Sequence, residues 1–210
     1  MTRLILLRHG EVEGIVPPRF RGRRDLDLSD LGRRQALAAA RHVAHAWQPA
    51  AIYSSPLRRC LQTAEPLALA SRTELAVLED LNDLNFGDWQ WLTHAEARAR
   101  APALFARWLA HPHLVRFPGG ESLQELFARA ANVLRLVLER HAALTVVLVT
   151  HDSVTRALLL QTLGLPPAAY WQVAQDPCGV SEIVYHADQG SVRRLNETQH
   201  LPDNPPPPTP

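Results

Sequence analysis

Residues 4–11 read LILLRHGE. Four consecutive apolar residues, Leu4 to Leu7, have the length and composition of a strand buried on both faces. The chain then sets Arg8 and His9 side by side at the exit of that strand. Two other short apolar runs end in the same way. AIYS at 51–54 runs into Ser55 and the arginines Arg58 and Arg59, and TVVLVT at 145–150 runs into His151, Asp152 and Ser153. In an open α/β sheet, ligands bind at the carboxyl ends of the parallel strands, where loops and helix starts gather. The three exits therefore bring two histidines and two or more arginines to one edge of one sheet.

The intervals between the runs supply the helices. Ser29 is a good N-cap, and Leu37, Ala40, Val43, Ala44 and Trp47 follow at helical spacing, which predicts a helix of about 18 residues with one buried face. Arg33, Arg34 and Arg41 lie off that face and read as solvated. A second helix is expected from near Leu57 to about Ala70. SLQE at 122–125 is a capping box after PGG and starts a third, which carries Leu126, Ala130, Val133, Leu134, Val137 and Leu138 to about His141. A fourth follows Ser153 and stops near Gly164. With a further strand at 74–78 and an edge hairpin over 181–186 and 191–195 turning at ADQG, strands alternate with helices. That rhythm predicts an α/β fold, a three-layer α/β/α sandwich with a mostly parallel sheet. From 80 to 120 the strands stop, and Trp89, Trp91 and Trp108 mark a small helical lid insertion. Residues 1–201 read as one domain, and the proline-rich stretch 202–210 as a disordered tail.

Composition narrows the chemistry. The 210 residues carry a net charge of +1 and are 46% hydrophobic, with no apolar run long enough to span a bilayer and no signal-peptide core. A cytoplasmic protein is expected. All 22 basic residues are arginine, so neither a P-loop lysine nor a Schiff-base lysine exists here. RFRGRR at 19–24 is followed directly by DLD in a near-neutral chain, which argues against nucleic acid. The pairs His111/His113 and His42/His45 have no third ligand near them in sequence, and Cys60 and Cys178 form no metal motif, so no metal and no cofactor are expected. The oligomeric state stays open, a homodimer being one candidate. A neutral imidazole is a nucleophile near pH 7, and guanidinium groups hold tetrahedral oxyanions through paired hydrogen bonds. Phosphoryl transfer to a histidine uses every part of this set without a metal.

LRHGE at 7–11, SSPLRRCLQTAEPLA at 54–68, LNDLNFGDW at 81–89, PGGESLQELFAR at 118–129 and VTHDSVTRALL at 149–159 resemble, in order, the blocks of the histidine phosphatase superfamily, also called phosphoglycerate mutase-like. The resemblance implies that His9 is phosphorylated while Arg8, Arg59 and His151 hold the phosphoryl oxygens. It selects Arg59 over Arg58, places Asp83 as proton donor where many members carry Glu, with Asp88 and Asp80 behind it, and draws Arg21 and Gly22 to the pocket. Asp152, beside His151, joins Arg21 and Gly22 as a substrate-binding candidate. Val12 and Ile15 stand where many members have Thr and Asn, which removes polar atoms from the expected phosphate and substrate contacts. The function implied is a metal-independent phosphomonoesterase of small phosphorylated metabolites working through phosphohistidine. The alternatives are a phosphoglycerate mutase, disfavoured by the short stretch of about 35 residues between Asp83 and Gly119, and a non-catalytic phosphate-binding protein on the same fold.

Overall fold

The structure is a computed structural model and describes residues 1–187 and 189–201. The proline-rich stretch 202–210 and Asp188 of the ADQG turn lie outside the described residues. The chain runs β1 (Thr2–Arg8), α1 (Asp30–Trp47), β2 (Ala51–Ser54), α2 (Arg58–Ser71) and β3 (Leu75–Val77). After an insertion come α5 (Leu123–Arg140), β4 (Thr145–Thr150), α6 (Asp152–Thr162), β5 (Val180–His186) and β6 (Gln189–Glu197). The insertion holds α3 (His94–Arg100), α4 (Pro102–Ala110) and three single 3₁₀ turns. The six strands form one sheet in the order β3-β2-β4-β1-β5-β6. Strands β1 to β4 are parallel, and β5 and β6 add an antiparallel hairpin.

Alternation along the buried strands divides the core in two. Ile5, Leu7, Val147 and Val149 point to α1 and α2, where they meet Ala36, Val43, Cys60 and Leu67. Leu4, Leu6, Val146 and Leu148 point the other way, toward α5, α6 and the aromatic side chains of the insertion. Strands covered on both faces must be apolar at every position, which is why β1 and β4 read as continuous runs.

Helix α1 has the expected 18 residues and its Ser29 cap, whose side chain accepts from Gly32 N. Ala40, Val43 and Trp47 are buried as expected, but Gln35, Ala36 and Ala39 complete the buried face and Leu37 is 50% exposed. Small residues let α1 lie close to the sheet and α2, and that close packing turns the bulkier leucine outward. Helix α6 begins at Asp152 with His151 as its N-cap residue, so Ser153 stands inside the helix and does not cap it.

Candidate active site

The RHG stretch leaves β1 between four elements, each of which holds it by the backbone. His9 N donates to Thr150 O at 2.9 Å, and Cys178 N donates to Arg8 O and His9 O at 3.1 and 3.2 Å. Gly10 N donates to Thr63 Oγ1 on α2, and Glu11 N to Gln35 Oε1 on α1. The first turn of α1 docks directly on this loop. A Cβ on Gly32 would lie 2.1 Å from Glu11 O, so glycine is required there by contact.

His9 is buried, and its Nδ1 lies 2.7 Å from Gly10 O. A carbonyl only accepts, so Nδ1 carries the proton and the lone pair is on Nε2. Burial lowers the His9 pKa well below the ordinary value, and the charges of Arg59, His151, Arg8 and Arg21 lower it further. The ring is therefore the neutral, nucleophilic form at physiological pH. His151 stands edge-on to it, with ring centroids 5.2 Å apart. Burial and then Arg59, Arg129, Arg8 and Arg21 depress its pKa in the same way. Its Nε2 is 2.8 Å from Ser55 Oγ at the end of β2.

Arg8 and Arg21 line the cavity with His9, and each holds itself in place with an Nη1 donation, to Gln175 O and Gly14 O respectively. Burial and the neighbouring Arg8 bring the Arg21 pKa down to about 10. Arg59 is fully buried behind the wall. Its Nη1 donates to Arg24 O, and its Nη2 donates to Gly22 O and to Asp83 Oδ2 at 3.0 Å. Gly22 is itself in the cavity wall. The alternative arginine, Arg58, is exposed and pairs with Asp25 and Asp27. The Nε–H groups of Arg8, Arg21 and Arg59 are all buried with no acceptor among the described residues. An unsatisfied buried donor costs on the order of 1–3 kcal/mol and more when charged, and the two of these arginines in the cavity wall, Arg8 and Arg21, suit an oxygen-rich anion.

Asp83 also lines the cavity, whereas the fallback candidates Asp80 and Asp88 are exposed. Its Oδ1 accepts from Ser153 Oγ at 2.6 Å and from Leu84 N at 2.8 Å, and its Oδ2 takes Arg59 and lies 3.6 Å from His151 Nδ1. The cavity is about 270 Å³, and Phe86, Trp108, Tyr170 and Trp171 line it together with Arg8, His9 and Arg21. Asp152 is in its wall, 3.6 Å from Arg156 Nη2. Ile15 is in the wall too. Val12 is not, because its side chain packs with Leu7, Leu28 and Ala36 in the core, so the hydroxyl it lacks would not have faced the cavity.

Sequence reasoning missed Ser55, Ser153, Tyr170 and the pair Glu121 and Arg129. Ser153 and Ser55 were visible as strand-exit residues, but as helix starters. Glu121 and Arg129 both stand in the PGGESLQELFAR block, but nothing local assigns either a role.

Residues 4–198 match the sequence model of the histidine phosphatase superfamily (branch 1). The chain belongs to the histidine phosphatase superfamily. It is 34% identical over 201 residues to phosphoserine phosphatase 1 of Hydrogenobacter thermophilus, covering 96% of this chain and 95% of that one. Among solved structures, YhfR of Bacillus stearothermophilus superposes with a TM-score of 0.91 at 29% identity, over 96% of this chain and all of that one. A mycobacterial glucosyl-3-phosphoglycerate phosphatase, solved with VO3, superposes with a TM-score of 0.86 at 32% identity, over 93% and 99% of the two chains. This histidine phosphatase is thus an enzyme of the phosphatase class in a three-layer α/β fold.

Proposed function

We propose that this histidine phosphatase hydrolyses phosphomonoesters of small metabolites through a phosphohistidine on His9. One observation carries the reading: the neutral His9 ring keeps its Nε2 lone pair in a cavity that it shares with Arg8 and Arg21, whose buried Nε–H donors have no acceptor among the described residues. The names of the relatives, a phosphoserine phosphatase and a glucosyl-3-phosphoglycerate phosphatase, support small phosphorylated metabolites as the substrate class.

In the first step Nε2 attacks phosphorus in line with the ester oxygen, so that a P–N bond forms as the P–O bond breaks. Arg8 and Arg21 offer donors to the equatorial oxygens, while Arg59 adds charge and the neutral His151 ring adds hydrogen bonding from behind them. Asp83 in its acid form passes a proton to the leaving alkoxide. In the second step the Asp83 carboxylate removes a proton from water, whose oxygen attacks phosphorus and releases inorganic phosphate and free His9. Asp152 and the aromatic side chains of the wall face the leaving alcohol. No step calls for a metal.

The test is hydrolysis of p-nitrophenyl phosphate by purified protein with and without EDTA, with quenching in alkaline detergent to trap the phosphoenzyme. Equal rates with and without chelator, and a base-stable, acid-labile phosphoenzyme that His9→Ala cannot form, are expected. Tight phosphate binding without turnover would replace this reading with the non-catalytic one, and isomerisation of phosphoglycerate without hydrolysis would replace it with the mutase.

A further inference from the structure

Asp83 has its backbone held as firmly as its side chain, by groups that never reach the cavity. Arg129, on the second turn of α5, donates from Nη2 to Asp83 O at 3.0 Å and from Nη1 to Asn82 O and Asp80 O at 2.6 and 2.8 Å. Arg23, from the loop after β1, donates from Nε to the same Asp83 carbonyl at 3.3 Å. Two guanidinium groups on one carbonyl repel each other, and a single carboxylate lies between them. Glu121 accepts from Arg23 Nη2 at 2.9 Å and from Arg129 Nε and Nη2 at 3.1 and 3.2 Å. Its Oε2 also accepts from Asn85 N, and its own N–H donates to Asn85 O, so it is fastened to the far end of the same loop.

We infer that Glu121, Arg129 and Arg23 act as positioning residues for proton transfer, setting the Asp83 carboxylate at the distance from the ester oxygen that the reaction needs. The inference rests on Asp83 being the proton donor. Aspartate has one fewer rotatable bond than glutamate, so its carboxylate follows the backbone closely. A displacement of about 1 Å in a reacting group costs on the order of a hundredfold in rate. A short acid therefore needs a fixed backbone, and the Glu121 carboxylate is what allows two cations to fix it. Neither arginine is placed by α5 or by the 19–24 loop alone; only their shared acceptor pair brings them together.

The experiment compares two esters in the full chain. Nitrophenolate departs without a proton, whereas an alkoxide such as that of β-glycerol phosphate does not. Glu121→Gln and Arg129→Met are expected to lower kcat/KM, which reports phosphoryl transfer to His9 and not the later hydrolysis common to both esters, by about ten- to a hundredfold for β-glycerol phosphate and by less than about threefold for p-nitrophenyl phosphate. Asp83→Asn sets the reference by showing the same bias more strongly. In the Asp83→Asn background Glu121→Gln should add nothing, because the two act through one atom. Arg23→Met, at a side chain 38% exposed, gives a third reading outside the core. Equal losses on both esters in Glu121→Gln and Arg23→Met, or additivity with Asp83→Asn, would overturn the inference. If Asp83→Asn shows no bias, the assignment of the acid fails first and takes the clamp with it. A wild-type protein that hydrolyses neither ester would instead remove the phosphatase reading.

Discussion

Ser153 shows how much one hydroxyl can carry at this site. It sits on α6, two residues past His151, and donates to Asp83 Oδ1 at 2.6 Å while also accepting from Leu84 N at 3.3 Å. It thereby ties the acid to the helix that follows the second histidine. Ser153→Ala leaves a buried aspartate oxygen with one donor fewer, and kcat should fall by about tenfold, the worth of one hydrogen bond of about 1.4 kcal/mol to a charged group. Steady-state kinetics on p-nitrophenyl phosphate and β-glycerol phosphate check this. A loss confined to KM would mean that Ser153 serves binding alone. At the same scale, Arg58 and Arg59 could not be separated by composition, since both are arginines in one helical turn. Burial separates them. Arg59 is 0% exposed and reaches Asp83, while Arg58 pairs with Asp25 and Asp27 in solvent.

At the scale of elements, α1 matters because of where its first turn stops. Ser29 N donates to Glu11 O, and Gly32 lets the helix backbone touch the loop that carries His9. Adding one methyl at Gly32 forces the loop and the helix apart. Gly32→Ala should therefore lower stability by about 1–3 kcal/mol, in the range of overpacked core sites, and should reduce turnover by displacing His9. Urea denaturation and kcat measured on the same preparation would show both effects; a stable, fully active variant would mean that the loop moves freely. Helix α5 offers a control. Ser122 and Glu125 form its capping box, and burial is low there, so Ser122→Ala should cost about 1 kcal/mol. Because Arg129 lies beyond the first turn, activity per folded molecule should be kept, which a thermal melt and an assay together can establish.

The molecule as a whole stores charge against itself. Two imidazoles are buried neutral among guanidinium groups, and His200, packed against His42 and partly buried, has its pKa brought down to about 4. In the unfolded chain each histidine titrates at about 6.5. Below that pH the unfolded state binds protons that the folded state refuses, so the free energy of unfolding falls as the pH drops. For His9 and His151 the slope approaches about 1.4 kcal/mol per pH unit each until the folded state begins to protonate. Urea midpoints in phosphate-free buffer should therefore fall steadily from pH 7.5 to 5.5. Added phosphate or vanadate should offset part of that fall, because a dianion stabilises the charged rings. A midpoint independent of pH would contradict the burial and cationic surroundings of both histidines.

The apolar runs of β1 and β4, the capping boxes and the strand–helix rhythm were legible in the sequence because each depends on residues a few positions apart. So were His9, Arg8 and His151, since a polar group at the exit of a buried strand has only one edge of the sheet on which to stand. The exposed Leu37, the core position of Val12 and the start of α6 at Asp152 were not legible, because each depends on which neighbour packs against it. The tertiary structure alone decided that Arg59 serves Asp83 from behind the wall, and that Glu121 and two arginines from distant parts of the chain meet on one carbonyl. Local sequence sets what a segment can bury; the partners of a buried charge come from wherever the fold closes over it.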